Sequence, residues 1–162
     1  MYISVDDYAV PFEDPNMLSY LLNKGIGSNG YITETQAAAV TSVSNAPNTT
    51  ITKFNEFKYF TNITESKGGF SGTDDGNMRF LGWTALEEID ISNLTSIGHN
   101  TGYAYGDTFV NCTSLKKVTA SDKLAKIGYN AFDGCTNLET LSGLDGVVEI
   151  WDNAFDNCEK LQ

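Results

Sequence analysis

The sequence is poor in the side chains that most catalytic and metal sites need. It contains one histidine, His99, so it cannot supply the histidine pair of a typical metal centre. It has no apolar run near 18 residues and predicts no membrane-spanning helix. No Gly-x-Ser-x-Gly, His-Glu-x-x-His or phosphate-loop pattern occurs. We therefore expect no enzymatic activity, no cofactor and no metal site.

Positive charge is also scarce. Ten lysines and arginines stand against 21 acidic residues, which gives a net charge of −11 and a pI near 4.3. Nucleic-acid binding depends on cationic contacts to phosphate, and anionic membrane surfaces attract basic segments. The sequence therefore predicts no nucleic-acid partner and no membrane insertion. Residues 1–7 contain no basic segment followed by an apolar stretch, so no leader is predicted within this sequence.

What the sequence does have is a repeat with a period of 23 residues. Phenylalanine, cysteine and leucine each recur three times at this spacing. The three sets are Phe109, Phe132 and Phe155; Cys112, Cys135 and Cys158; and Leu115, Leu138 and Leu161. A fixed period between about 20 and 50 residues indicates a stacked solenoid, in which each repeat buries its apolar face against its neighbours.

Two further motifs recur between these positions. Leu115–Val118 has the pattern Leu-x-x-Val, and Leu124–Gly128 has the pattern Leu-x-x-Ile-Gly, before Ala131-Phe-x-x-Cys. This arrangement resembles the BspA-like (Treponema pallidum-type) leucine-rich repeats over roughly residues 54–162. The resemblance implies an α/β solenoid, a short right-handed stack of small β-strands and turns. It also implies a secreted or surface-attached protein of bacteria or some protists, with a role in adhesion and protein binding.

Earlier copies of the repeat are weaker and longer. Trp83 takes the cysteine position. Phe57, Phe60 and Ile63 suggest a degenerate pair of strands. The interval from the motif isoleucine to the next phenylalanine is 17 residues in the first copy, 12 in the second and 5 in the last two. The first two repeats therefore carry insertions at one equivalent position. We expect these insertions to lie side by side as one insertion lobe.

Residues 1–50 lie outside the repeat and are predicted to form a helical cap on a solenoid of residues 51–162, with about four repeats, the last incomplete. Asp14 followed by Pro15 predicts a helix start, and Thr33 with Gln36 predicts a capping box.

The segment between these two helix starts resembles a degenerate EF-hand or dockerin-like loop. Gly30 and Ile32 match positions 6 and 8 of an EF-hand loop. Positions 1, 3 and 12 fall on Gly25, Gly27 and Gln36, which lack the carboxylates that calcium requires. We expect a vestigial helix–loop–helix that covers the first apolar edge. The three cysteines occupy one repeat position and are expected to be buried free thiols.

Two surfaces are candidates for binding. The first is the outer face of the predicted sheet, where the charge alternates between repeats; its residues are Glu87, Glu88, Asp90, Lys116, Lys117, Thr119, Glu139, Thr140 and Ser142. Either these charges neutralise one another as a cross-strand ladder, or they form a polar face for protein or glycan. The second is the insertion lobe, where His99, Tyr103, Tyr105 and Asp107 lie among glycines, as in adaptable binding loops. Its tyrosines could instead fold back over the earlier insertion.

The last repeat is expected to leave an apolar edge at Val147, Ile150, Trp151 and Phe155. Two functions remain open at this point. One is a non-catalytic extracellular or cell-surface binding and adhesion module. The other is a structural subunit of a phage virion or surface appendage, which would self-associate through this C-terminal edge.

Overall fold

The structure, a computed structural model, describes residues 7–43, 48–66, 79–98 and 106–162. Within these ranges two helices come first, and a 3₁₀ helix follows the first of eight short strands. The elements are α1 Pro15–Asn23, α2 Glu34–Ala39, β1 Lys53–Phe54, the 3₁₀ helix Asn55–Tyr59, β2 Glu65–Ser66, β3 Glu88–Asp90, β4 Ser96–Ile97, β5 Lys117–Thr119, β6 Lys126–Ile127, β7 Thr140–Ser142 and β8 Glu149–Ile150. No helix in this part of the chain is long and apolar enough to cross a membrane.

The strands form two parallel sheets of four strands each. The first sheet has the order β1-β3-β5-β7 and the second has the order β2-β4-β6-β8. Because the sheets take alternate strands, the chain passes through both sheets in each turn of the solenoid. We number the resulting coils 1 to 4 by their strand pairs. Phe54, Ile89, Val118 and Leu141 form one in-register row that faces the interior. The predicted repeat solenoid is confirmed.

The phenylalanine of each coil stacks on the phenylalanine of the next. Ring centroids lie 5.1 Å apart between Phe80 and Phe109 and between Phe109 and Phe132. The separation is 5.3 Å between Phe132 and Phe155. The first three rings are fully buried, whereas Phe155 is partly exposed on coil 4. The four rings therefore form a continuous row that joins successive coils, as expected for a solenoid.

The three cysteines are free and occupy equivalent positions in this interior. The thiol of Cys112 donates a hydrogen bond to the carbonyl oxygen of Phe80 in the preceding coil at 2.9 Å. Cys135 and Cys158 make the corresponding bonds at 3.2 Å. Burial raises the pKa of the Cys112 thiol to about 12. The cysteines therefore pack as small side chains and link successive coils, as the repeat predicts. Trp83, at the same position in coil 1, is also fully buried.

The residue before each of these positions has a left-handed backbone conformation. Its φ is 70° at Gly82, 60° at Asn111, 74° at Gly134 and 58° at Asn157. Glycine and asparagine are the residues that adopt this conformation most readily, and here they alternate from coil to coil. A Cβ atom on Gly134 would lie 2.6 Å from Oδ1 of Asn111. The asparagine of one coil therefore occupies the space that a side chain on the next would need.

The helix starts are as predicted. Oδ1 of Asp14 accepts a hydrogen bond from the Asn16 amide at 2.9 Å, and Pro15 is the first residue of α1. Thr33 and Gln36 form a complete capping box at the start of α2. The resemblance of the intervening segment to an EF-hand or dockerin-like loop stays a prediction.

The predicted strand pair around Phe57 and Phe60 is wrong. Phe57 lies in the 3₁₀ helix, Phe60 directly follows it, and both are fully buried. Their rings pack against Phe54 and, for Phe57, against Phe80. A helical turn brings these aromatic side chains onto one interior cluster, and the strands of coil 1 form on either side of it.

Asp14 also completes the edge of the first sheet. In coil 2, the amides of Glu87 and Glu88 both donate to the carbonyl oxygen of Thr52, and the same pattern recurs in coils 3 and 4. In coil 1, the amides of Thr52 and Lys53 donate instead to Oδ2 of Asp14, at 2.6 and 3.3 Å. The carboxylate therefore takes the place of a carbonyl oxygen from a preceding coil, and it satisfies donors on the edge strand.

Candidate functional site

The outer residues of the first sheet form a continuous polar surface, which we call the charged face. It consists of Lys53, Glu87, Glu88, Asp90, Lys116, Lys117, Thr119, Glu139, Thr140 and Ser142. The sheet register aligns Lys53, Glu88, Lys117 and Thr140 in one row. A second row contains Asp90, Thr119 and Ser142. The parallel pairing thus brings together every sheet residue that the sequence marked as a binding candidate.

Ion pairs neutralise part of the charged face. Lys116 lies 3.0 Å from Glu87, as predicted, and Lys53 lies 3.8 Å from Glu88. Glu139 lies next to Lys116 in the stack and forms its ion pair with Lys160, at 3.8 Å. Strand β7 places Thr140 opposite Lys117, so the aligned position in coil 4 carries no charge.

These exposed ion pairs contribute little to stability, about 0–1 kcal/mol each. Lys117 is exposed, and among the described residues it makes no ion pair. Its neighbours in the register are Glu88 on one side and the uncharged Thr140 on the other. Coil 3 therefore offers an ammonium group without a direct ion pair, between Glu88 and the hydroxyl group of Thr140, and the cross-strand ladder accounts for only part of the charged face.

Residues that flank the two insertions are joined by hydrogen bonds. Ser66 directly precedes the first insertion, and Gly98 directly precedes the second. The hydroxyl of Thr108, which follows the second insertion, accepts a hydrogen bond from the Gly98 amide at 2.9 Å. Ser66 Oγ donates to the same hydroxyl oxygen at 3.3 Å. All three residues are buried, so this cluster fixes where both insertions leave the stack.

Asp107 is the one insertion-lobe candidate within the described residues. Burial raises the pKa of its carboxyl group, while a hydrogen bond with the Asn130 side chain and the charge of Arg79 act in the opposite direction. His99, Tyr103 and Tyr105 lie outside the described residues. The expected side-by-side packing of the insertions also concerns that part of the chain.

The four predicted edge residues all lie on coil 4 and are at least partly exposed. Ile150 has 56% of its surface exposed, and Val147, Trp151 and Phe155 are half-buried. Trp151 Nε1 donates to Glu149 Oε1 at 2.6 Å, and the Tyr129 ring packs edge-on against the indole at 4.8 Å. Sequence reasoning missed Val148, which is 83% exposed, because the equivalent residue in coil 3 is Ala125 and the repeat does not mark this position as apolar.

Comparison with known families assigns the second half of the stack. Residues 104–162 match the family model described as a BspA type leucine rich repeat region (6 copies). Comparison with curated proteins gave no significant match. Leucine-rich repeats of this kind generally form a non-catalytic binding fold, so the finding indicates a repeat protein involved in binding.

The BspA-type region contains strands β5–β8 and thus all of coils 3 and 4. It supplies the lysines of the charged face, apart from Lys53, and the whole exposed edge. Coils 1 and 2 extend the same two sheets towards the N-terminus. Their strands precede residue 104, where the family match begins. Their candidate residues Glu87, Glu88 and Asp90 therefore join the site through sheet register rather than through the family match.

Proposed function

We propose that this protein is a non-catalytic binding and adhesion module that acts outside the cell or at the cell surface. Its ligand would be a protein or glycan that binds the charged face or the insertion lobe. The BspA-type repeats support this proposal, since proteins with such repeats are often secreted or surface-attached.

The observation that carries the proposal is the in-register polar surface of four parallel strands. Strand pairing holds Glu88, Lys117 and Thr140 in fixed relative positions, so a ligand meets a preformed surface. Charges of both signs favour orientation and rapid encounter with a partner of complementary pattern. The hydroxyls of Thr119 and Thr140 add hydrogen-bonding groups at low conformational cost.

The test is binding of the purified chain to an array of purified extracellular-matrix proteins, cell-surface proteins and glycans. The decisive variant is Lys116→Glu with Lys117→Glu, which reverses the basic part of the charged face. A matched control is Lys24→Glu with Lys126→Glu, which makes the same change in net charge on other surfaces. We expect binding to at least one array member, at least a tenfold loss in the first variant and no loss in the control.

Two results would contradict this proposal. One is the absence of binding to every array member at micromolar concentration. The other is an equal loss of binding in both double variants, because that would reflect net charge rather than the charged face.

A second candidate function is self-assembly as a structural subunit. The exposed side chains of Ile150, on edge strand β8, and of Val148, directly before it, favour this function, since exposed apolar strand edges promote pairing with another chain. Asp14 occupies the equivalent donors at the opposite end of the first sheet. Association through coil 4 would therefore join two like ends and close as a pair, whereas a filament would need two complementary ends.

The assembly candidate is tested by light scattering after size-exclusion chromatography. A dimer that becomes a monomer in Trp151→Glu would support it, provided that Tyr31→Glu, which changes an exposed aromatic residue on the N-terminal segment, leaves the mass unchanged. A monomer in the unmodified chain, or higher oligomers that persist in Trp151→Glu, would contradict it.

A further inference from the structure

A groove lies at the corner where the coils pass from the first sheet to the second. It spans three coils and has a volume of about 430 Å³. Small-molecule sites in proteins have volumes of about 300–1,000 Å³. The lining residues lie between the first and the second strand of each coil; they are Lys58, Tyr59, Thr61, Thr64, Ser92, Asn93, Thr95 and Lys123. We call this the corner groove. It borders the charged face at Asp90, which pairs with Lys58, and no prediction from the sequence included it.

The chemistry of the corner groove differs from that of the whole protein. The chain has a net charge of −11, yet two of the residues that line the groove are lysines and none is acidic. Lys58 is held in place by Asp90, 3.3 Å away, and its ammonium group lies 5.8 Å from the centre of the Tyr59 ring. Lys123 is exposed and makes no ion pair among the described residues. An anionic group would find an available ammonium group here.

Most of the remaining lining is suited to hydroxylated ligands. Four aliphatic hydroxyl side chains and the Tyr59 ring surround the groove. Asn93 is 91% buried, and its side-chain Nδ2 donates to the carbonyl oxygens of Phe60 and Ile63 at 3.1 and 2.9 Å. Its Oδ1 has no hydrogen-bond partner. Buried polar atoms are normally satisfied, so this unpartnered oxygen adds an unusual polar atom to a residue that lines the groove.

The geometry points to an acidic carbohydrate as the ligand of the corner groove. Its carboxylate or sulfate group would pair with Lys123 and Lys58, one sugar face would lie against Tyr59, and ring hydroxyls would bond with the threonine and serine side chains. Nucleic acid fits poorly, because two ammonium groups cannot offset the net charge of the chain over the length of a phosphate backbone. This inference does not depend on the charged face, and each surface can be tested without the other.

Isothermal titration with defined oligosaccharides tests the inference. The probes are a uronic-acid tetrasaccharide, a sulfated heparin-derived tetrasaccharide and neutral maltotetraose, each titrated up to millimolar concentration. We expect at least one acidic probe to bind and maltotetraose to bind at least tenfold more weakly. Binding of the uronic-acid probe alone would identify a carboxylate ligand, and binding of the sulfated probe alone would identify a sulfate ligand; both outcomes support the inference.

Variants separate the corner groove from general electrostatics. Lys123→Gln and Lys58→Gln should each weaken binding about five- to tenfold, as expected for one charge-assisted contact. Thr61→Val removes a hydroxyl group with little change in shape and should weaken binding two- to threefold. Lys116→Gln makes the same charge change on the charged face and should have no effect. All four sites are exposed, so the variants should retain the melting temperature of the parent.

Three results would overturn the inference. They are no binding of either acidic probe at millimolar concentration, equal binding of maltotetraose, and a loss in Lys116→Gln as large as that in Lys123→Gln. Loss of array binding in the charged-face variant, with oligosaccharide binding intact, would instead concern the proposed adhesive function and leave the corner groove supported.

Discussion

Replacement of Asp14 should reveal how the N-terminal segment holds the stack. Asp14 is 94% buried, and its carboxylate makes contacts on both sides. Oδ1 caps α1, and Oδ2 accepts bonds from the Thr52 amide, the Thr52 hydroxyl and the Lys53 amide. Loss of a helix N-cap costs about 1 kcal/mol. Hydrogen bonds to a charged group contribute about 1.5–3 kcal/mol, and we count the three on Oδ2 as about 2 kcal/mol together because water can replace part of them.

Asp14→Ala should therefore lower the free energy of unfolding by about 3 kcal/mol, which corresponds to roughly 6–12 °C in melting temperature for a chain of this size. Asp14→Asn should cost less, about 2 kcal/mol, because asparagine is as good an N-cap as aspartate. Its amide group offers only one oxygen, however, so either the Asn16 amide or the Thr52 amide would face another donor. Urea unfolding followed by circular dichroism measures both values.

The pH dependence provides a second test of the same contact. Burial tends to raise the pKa of Asp14, but hydrogen bonds from Thr52, Asn16 and Lys53 outweigh it and hold the pKa below its ordinary value. A lowered pKa stabilises the fold at every pH above the unfolded value of about 3.9, and the contribution is lost as the pH falls through the folded value. The stability difference between the parent and Asp14→Asn should thus be full at pH 6 and shrink below pH 4. An equal difference at pH 6 and pH 3, or a cost below about 0.5 kcal/mol for Asp14→Ala, would refute this reasoning.

Three other predictions concern the interior and its buried acid. Glu56 is buried with Oε2 unpartnered, and burial raises its pKa, so its ionisation should reduce stability as the pH rises above about 4.3. Glu56→Gln should be more stable than the parent by about 1 kcal/mol at pH 7 and not at pH 4, measured by urea unfolding; a less stable variant at pH 7 would contradict this. Phe132→Ala should cost about 3–5 kcal/mol, and Phe155→Ala clearly less because its ring is partly exposed; equal costs would argue against the stacked ladder. Burial raises the pKa of the half-buried Cys158 to about 11 and also raises that of the fully buried Cys135, so alkylation at pH 8 followed by peptide mass spectrometry should label Cys158 first, and labelling of Cys135 in the native state at the same rate would be inconsistent with the structure.

Much of the stack could be predicted from the sequence because its repeat is strictly spaced. Each 23-residue period returns the chain to the same side of the solenoid, so Phe132 and Cys135 had to lie beside their equivalents in the next coil. The charged face follows from the same register. Its ion pairs were predicted less well, because a long side chain such as Lys160 reaches Glu139 from another part of the coil.

Other features could not be predicted because they join residues that the repeat does not relate. The cap motif at Asp14 predicts a helix start but carries no sign of the edge strand 38 residues later. The corner groove combines Lys58, Asn93 and Lys123 from coils of unequal length. The 3₁₀ helix at Phe57 replaces strands where the early repeat has diverged most, and spacing alone could not distinguish these alternatives.

The alternation of glycine and asparagine before the cysteine position limits how such a stack can lengthen. Asn111 fills the space beside Gly134, and Asn157 donates to the Asp133 carboxylate at 2.9 Å. Duplication of one coil alone would place two asparagines, or two glycines, next to each other and crowd or empty that space. The smallest unit that can be copied without a compensating substitution is therefore a pair of coils, and artificial arrays derived from this chain should be extended two coils at a time.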